Sequence, residues 1–270
     1  MDEPRPGSLP GGASLLGTAF PHGPPAKITL RTLAMPELCV VLPTYNEADN
    51  VAPLARALDR ALAGLDWEAI LVDDDSPDGT AARIEALHHP RIRCLLRKGR
   101  RGLASAAIEG FLASTAPFIA LMDADLQHDE TRLPVMLNLA KSDRLDLVVG
   151  TRYAAGGSAA GLAGRGRAWL SRVGVRASRS LMGETKLSDP MSGFFLVRRN
   201  LVTELAPRLS QRGYKILLDL VASADRPLRV GEVAYRFRPR QAGQSKLGLK
   251  VGAEFLWLIA SKWWKRGRSA

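Results

Sequence analysis

Phe118-Ile119-Ala120-Leu121-Met122-Asp123-Ala124-Asp125-Leu126-Gln127-His128 is an apolar run of strand length that breaks at once into carboxylates and an amide. A short, continuously apolar run bounded by polar residues is the pattern of a strand buried on both faces. Open α/β sheets bind their ligands outside the carboxyl ends of such strands. In an extended segment just past the strand, alternate side chains share a face. On that reading Asp123, Asp125 and Gln127 converge into a hard, all-oxygen site. Mg²⁺ or Mn²⁺ holding a diphosphate suits it, because these ions combine carboxylates with phosphate oxygens. The competing reading is a solvated acidic loop, since Asp-x-Asp is common. Two features favour metal: the cluster terminates an apolar strand, and the chain around it is strongly basic.

The same pattern repeats towards the N-terminus. Leu38-Cys39-Val40-Val41-Leu42 reads as a strand closed by Pro43 and followed by Thr44-Tyr45-Asn46-Glu47. Ala69-Ile70-Leu71-Val72 runs into Asp73-Asp74-Asp75-Ser76, and Ile92 to Leu96 and Leu145 to Val149 are further strands. Helical spacing covers about Glu47 to Ala63, Gly79 to Leu87, Gly102 to Ala113 and Thr131 to Ala140. Strands alternating with helices of this length predict an α/β fold, a mainly parallel central sheet flanked by helices. The three polar clusters then line one crevice. The carboxylates from Asp73 to Asp78 repel each other unless hydrogen bonds or a ligand compensate. Asp74 suits a nucleobase or ribose, with capping and turn formation as the other reading. For Asp78, before Gly79-Thr80, capping is the reading.

The 270 residues are 46% hydrophobic and 24% charged, a globular composition. The net charge of +11 suits polyanionic partners: nucleic acid, phosphorylated substrates or an anionic membrane face. No helix-turn-helix, RRM or zinc pattern is present, and acidic clusters at the crevice repel a phosphate backbone, so no nucleic-acid partner is expected. Cys39 and Cys94 both sit in strand-like runs, which is neither a disulfide framework nor zinc spacing and fits a reducing compartment. No run of about 18 apolar residues predicts a transmembrane helix, and the N-terminus lacks the pattern of a secretory signal. Residues 1–36, rich in Gly and Pro, read as a flexible tail, and residues 37–245 as the globular domain. Residues 246–270 read as an amphipathic helix, Leu247 to Trp264, with a basic tail. Its apolar face is too short to span a bilayer but fits the interface, where Trp is favoured. The other reading docks that helix on the protein's own core. Arg165 to Met182 is a second interfacial candidate. The expectation is peripheral contact with the cytoplasmic face of a membrane.

An ordered set of motifs extends these readings. Pro43-Thr44-Tyr45-Asn46-Glu47, Val72 to Thr80, Gly102-Leu103-Ala104-Ser105-Ala106, Asp123 to His128 and Gly150-Thr151-Arg152-Tyr153 follow in order. Asp189-Pro190-Met191-Ser192-Gly193-Phe194, Gly213 to Asp219 and Arg240 to Lys246 continue it. Over roughly residues 38 to 250 the chain resembles the dolichol-phosphate (polyprenol-phosphate) mannose synthase family, inverting glycosyltransferases of the GT-A fold. The resemblance implies metal-dependent transfer of mannose from GDP-mannose to dolichyl or polyprenyl phosphate. It places Pro43, Tyr45, Glu47, Val72 and Asp74 in the nucleoside pocket, and Asp123, Ala124, Asp125 and Gln127 at the metal and diphosphate. Arg152, Arg167, Arg240 and Lys246 fall around the lipid and sugar-nucleotide phosphates, with Asp125, Arg152, Arg240 and Lys246 as the catalytic set. The stretch from Gly156 to Arg167 is one residue longer than the family pattern and lacks its aromatic, so Arg165 also fits the place of Arg167. Met191 replaces the family's Thr, and Asp219 is a shorter acid than usual. A UDP-glucose-dependent polyprenyl-phosphate glucosyltransferase shares nearly all these motifs and is the alternative. Transfer to a polysaccharide acceptor is disfavoured, because no acidic base motif follows the metal cluster and no Gln-x-x-Arg-Trp run occurs.

Overall fold

The computed structural model describes residues 35–153 and 182–239. Expectations placed on the tail before Met35, on Arg165, Arg167, Arg240 and Lys246, and on Leu247 to Trp264 lie outside the described residues, as does Arg165 to Leu181.

The chain alternates as the hydrophobic pattern predicts. Strand β1 (Leu38–Thr44) leads to helix α1 (Ala48–Ala61), then β2 (Trp67–Asp73), α2 (Thr80–Glu85), β3 (Ile92–Leu96), α3 (Leu103–Leu112) and β4 (Phe118–Leu121). A 3-10 turn (Glu130–Arg132) precedes α4 (Leu133–Ser142) and β5 (Leu147–Thr151). After residue 182 come β6 (Phe195–Arg198), α5 (Arg199–Leu205), α6 (Ile216–Ser223) and β7 (Val230–Ala234). The seven strands form one sheet in the order β3-β2-β1-β4-β6-β5-β7. Pairings are parallel except for β6, which runs antiparallel to β4 and β5.

Strand alternation divides the core between the two faces of the sheet. Cys39, Val41, Ile70, Val72, Ile119 and Leu121 face α3, α5 and α6. Leu38, Val40, Leu42, Leu71, Phe118 and Ala120 face α1 and α4. Helix α1 buries Val51, Leu54, Ala55 and Leu58, spaced at i, i+3, i+4 and i+7, which is one helical face. Helix α3 lies so close to the sheet that a Cβ on Gly110 would sit 2.4 Å from Val41 Cγ1 and 2.9 Å from Val72 Cγ2.

Strand β1 does not close at Pro43. It continues to Thr44, with Pro43 opposite Val72 and Thr44 opposite Asp73. Val41 O accepts from Met122 N on the β4 side, and Thr44 O accepts from Asp74 N on the β2 side. Alternation therefore turns the missing Pro43 N–H towards β4, whose last residue, Leu121, is already paired with Val41. Proline is tolerated there because no ladder bond is due.

Candidate active site

Five polar segments meet because of strand direction. Parallel β1, β2 and β4 deliver Tyr45 to Glu47, Asp73 to Ser76 and Asp123 to Gln127 to the same edge of the sheet. Antiparallel β6 begins where β4 ends, with Phe195 opposite both Leu121 and Val149. The preceding residues, Asp189 to Phe194, are thereby brought beside Asp123 and Arg152. Strand β7 ends with Ala234 opposite Thr151 and delivers Tyr235 to Arg238 to the same edge.

The Asp123–Gln127 segment turns rather than staying extended. Ala124 and Asp125 form a turn, and Leu126 adopts φ +62°, a left-handed conformation costly for a bulky residue. Asp123 and Asp125 thereby acquire different surroundings. Asp125 is 4% exposed and accepts a hydrogen bond from Gln127 N at 3.1 Å. The Asp123 side chain is 44% exposed, and its Oδ2 lies 3.1 Å from His128 Nε2. Gln127 is locked to the segment after β7: its Nε2 donates to Arg238 O at 3.0 Å, and Arg238 N donates to Gln127 O at 2.8 Å. An amide that donates through Nε2 keeps Oε1 as an acceptor. Arg238 itself forks onto Glu130 and Asp129.

Among the described residues, no three His, Cys, Asp or Glu side chains gather to enclose a metal. A half-exposed carboxylate with a second carboxylate and an amide on the same turn is instead an open, oxygen-donor set. That fits Mg²⁺ or Mn²⁺, which complete their shells with water and substrate phosphate oxygens.

Arg152 donates through Nε and Nη2 to the two carboxylate oxygens of Asp189, at 2.8 and 2.9 Å, with Asp189 fully buried. Burial alone would disfavour the guanidinium charge, but the bidentate bond and the charge of Asp189 outweigh it and raise its pKa. The guanidinium also lies 5.6 and 5.7 Å from the ring centres of Tyr153 and Phe237. Lys215, just before α6, is half-buried in the field of this pair and of Asp123. Burial and then the neighbouring Arg152 push its pKa down. Two cations held this close favour an anion between or beside them.

On the nucleoside side, Asp74 accepts from Arg97 Nη1 at 2.7 Å and from Gly102 N at 2.7 Å. Burial raises its pKa, with the Gly102 and Arg97 contacts pulling the other way. Asp74 thus ties the end of β2 to the start of α3. Arg97 donates further to Ser105 Oγ at 2.7 Å. Its buried Nε has no hydrogen bond and lies 3.4 Å from Glu109 Oε2, a charge contact without bonding geometry. Tyr45 stacks 4.5 Å beneath the Arg101 guanidinium, and Glu47 accepts from Asn50 Nδ2 at 2.6 Å. Pro43 and Val72 sit opposite each other at the strand ends. Asp78 caps, as its sequence context predicts: Oδ2 accepts from Ala48 N at 3.1 Å and Oδ1 from Thr80 N at 3.0 Å. Burial opposes this carboxylate's charge, but these bonds hold its pKa below the ordinary value. Alongside lies a cleft of about 520 Å³ lined by Arg97, Arg100, Arg101, Ser105 and the Leu209 to Arg212 loop.

The structure therefore gathers Pro43, Tyr45, Glu47, Val72, Asp74, Asp123, Ala124, Asp125, Gln127 and Arg152 along one edge of the sheet. Sequence reasoning missed Arg97, the partner of Asp74, and the Asp189 anchor of Arg152. Lys215 and His128 lie inside the sequence motifs but have no role assigned from sequence. For Lys215 the available signal was a charge at the head of the apolar run Ile216-Leu217-Leu218.

The sheet, with its acidic turn after a central strand, is that of a glycosyltransferase of the GT-A fold. The chain belongs to glycosyl transferase family 2, whose model matches residues 39–206. It is 34% identical over 236 residues to "Dolichol-phosphate mannosyltransferase" of Saccharomyces cerevisiae, covering 82% of this chain and 84% of the relative. It is 33% identical over 228 residues to the protein of the same name from Pyrococcus furiosus, covering 82% of this chain. The chain spans 62% of the length of that archaeal relative. Among solved structures, glucosyl-3-phosphoglycerate synthase from Mycobacterium tuberculosis, in complex with Mn²⁺, UDP-glucose and phosphoglyceric acid, shares the fold. That likeness has a TM-score of 0.60 at 20% identity and covers 84% of this chain and 79% of that one. No described helix is long and apolar enough to cross a membrane.

Proposed function

We propose that this glycosyltransferase transfers mannose from GDP-mannose to dolichyl or polyprenyl phosphate with inversion, giving a polyprenyl-phosphate β-mannose. The observation that carries this reading is the match to relatives that share one name, from an archaeon and from fungi, over four-fifths of the chain. The described residues supply matching chemistry at the sheet edge.

The acceptor phosphate is already ionised at neutral pH, so the nucleophile needs no general base. One of its oxygens forms a bond to the anomeric carbon from the face opposite the leaving group. The bond from that carbon to the nucleoside diphosphate breaks, and the electron pair leaves with the diphosphate. What remains for the protein is positioning and charge neutralisation. Pro43, Tyr45, Glu47, Val72 and Asp74 orient the nucleoside, with Ala124 alongside. Asp123, Asp125 and Gln127 would hold Mg²⁺ or Mn²⁺, which when bound offsets charge on the departing diphosphate. Two anions must meet in this reaction. Arg152, held in register by Asp189, offsets their repulsion together with Lys215 and with Arg167, Arg240 and Lys246 from the segments beyond. Arg suits this role because its planar fork matches phosphate oxygens. The lipid acceptor stays in its bilayer, because each CH₂ resists transfer to water by about 0.8 kcal/mol. The Leu247 to Trp264 segment, following Lys246, is proposed to bring the crevice to headgroup height at the cytoplasmic face.

Nucleotide release measured side by side with GDP-mannose and UDP-glucose, polyprenyl phosphate present in both, tests the donor. Release from GDP-mannose is expected. Preferential release from UDP-glucose would transfer the assignment to a glucosyltransferase.

A further inference from the structure

His128 is buried, 2% exposed, in a cage of aromatic rings: Phe194 at 5.3 Å, Phe237 at 5.5 Å and Tyr235 at 5.6 Å between centres. A polar ring in such a cage costs free energy unless both nitrogens are bonded. Both are. Nε2 lies 3.1 Å from Asp123 Oδ2, and Nδ1 lies 3.0 Å from Tyr235 Oη. Tyr235 is 1% exposed, and burial pushes its phenol pKa up, so it stays an O–H.

The donor roles follow from the partners. An ionised carboxylate only accepts, so Nε2 must carry a hydrogen towards Asp123. Nδ1 of a neutral imidazole is then an acceptor, and the Tyr235 hydroxyl donates to it. The chain runs Tyr235 O–H to Nδ1, then Nε2–H to Asp123. Its three members come from different places: Asp123 follows β4, His128 precedes the 3-10 turn and Tyr235 follows β7. Asp123 is half-exposed at the start of a turn, and an unsupported carboxylate there would sample several rotamers. One of its oxygens is instead pinned from behind. Gly193 packs beside the pair, where a Cβ would lie in ordinary contact, 3.7 Å from both Asp123 Oδ2 and His128 Nε2.

We infer that His128, its tautomer set by Tyr235, is the positioning residue that orients the Asp123 carboxylate towards a divalent cation. This inference rests on the reading of Asp123 as a cation ligand and assigns the group behind it. Partners that fix a ligand's orientation typically change metal affinity about 10- to 100-fold when removed.

The test is Mn²⁺ affinity of the purified full chain, followed by the electron paramagnetic resonance of free Mn²⁺, without substrates. Asp123→Asn should lose binding. His128→Phe, which suits the aromatic cage but donates nothing, should weaken Mn²⁺ about 10- to 100-fold. His128→Gln, whose side-chain amide N–H stands in for Nε2–H, should recover most of that loss. Tyr235→Phe removes a single hydroxyl and should weaken binding less than His128→Phe. It also serves as the second probe should His128→Phe not fold. Wild-type affinity in His128→Phe, or in Tyr235→Phe where it alone folds, with binding lost in Asp123→Asn, would overturn the positioning role and leave the ligand reading standing. Equal weakening in the Phe and Gln variants of His128 would show that packing, not the donated bond, matters, and would also overturn it. Wild-type affinity in Asp123→Asn would remove the ligand reading and the inference with it.

Discussion

Asp74 is held by Arg97 and Gly102 N–H, yet burial still leaves its pKa raised. A group whose folded pKa lies above its unfolded one contributes stability that is lost as pH rises through the folded value. Its charge is therefore kept at a cost. Asp74→Ala leaves the Arg97 guanidinium, 2% exposed, with only the more distant Glu109 carboxylate as a charge partner. Removing one member of a buried pair costs about 3–5 kcal/mol. Urea titration should show a loss of that order, and calorimetry should show weaker nucleotide binding. Unchanged stability and affinity would remove Asp74 from the pocket. Asp146 behaves oppositely. Burial opposes its charge, but Arg226, bonded through both Nη atoms at 2.8 and 3.0 Å, and Arg229 N–H hold its pKa below the ordinary value. Its contribution is present above the unfolded carboxylate value of about 3.9 and is lost as pH falls through the folded value. Asp146→Asn should therefore destabilise the protein at pH 7 and progressively less in acid below about pH 4. A penalty independent of pH would contradict that account. Asp123 and Asp74 were legible as site candidates because carboxylates at the ends of apolar strands have few structural reasons to be there. Arg97 was not, because it stands in Arg97-Lys98-Gly99-Arg100-Arg101, where nothing local separates a buried partner from its solvated neighbours.

Helix α3 shows at the scale of an element how small residues set position. Gly110 lets it approach β1 and β2, and an added methyl meets Val41 and Val72 well inside contact distance. Gly110→Ala should cost about 1–3 kcal/mol by overpacking. Chemical denaturation should show this, with partial recovery in Gly110→Ala/Val41→Ala, where space is restored. An additive double variant would argue that α3 and the sheet adjust independently. The β-α alternation from β1 to β4 was legible because each apolar run and each helical face is a local pattern. The antiparallel placement of β6 was not. Phe195-Leu196-Val197 is apolar in either direction, and direction is fixed only by pairing with β4 and β5. That reversal matters, because it carries Asp189 to Arg152 and Gly193 to Asp123. The extended geometry expected for Asp123 to Gln127 failed for a related reason. The left-handed turn at Leu126 buries that side chain in the core on the α1 and α4 face, a tertiary gain no local propensity reports.

Taken whole, the molecule places acidic and basic groups along one edge of a sheet whose other surfaces are covered by helices. The basic balance of +11 is consistent with a reaction in which a diphosphate and an acceptor phosphate meet. In the proposed reaction, fixed cations at Arg152 and at Lys215, the latter in the field of Asp123, would serve that meeting without a general base. Both cysteines are poor nucleophiles in this setting: burial raises the thiol pKa of Cys39 and pushes that of Cys94 up to about 11. Neither is placed in the transfer chemistry. The central claim is the identity of the product, and it can be read directly. The full chain is incubated with GDP-mannose labelled in the sugar, polyprenyl phosphate in detergent or liposomes, and Mg²⁺ or Mn²⁺, and the lipids are then extracted. The account predicts label in a lipid that releases mannose on mild acid treatment, lost without the lipid phosphate and lost in Asp123→Asn. Label that stays in the aqueous phase while the same protein glycosylates a water-soluble acceptor would contradict it.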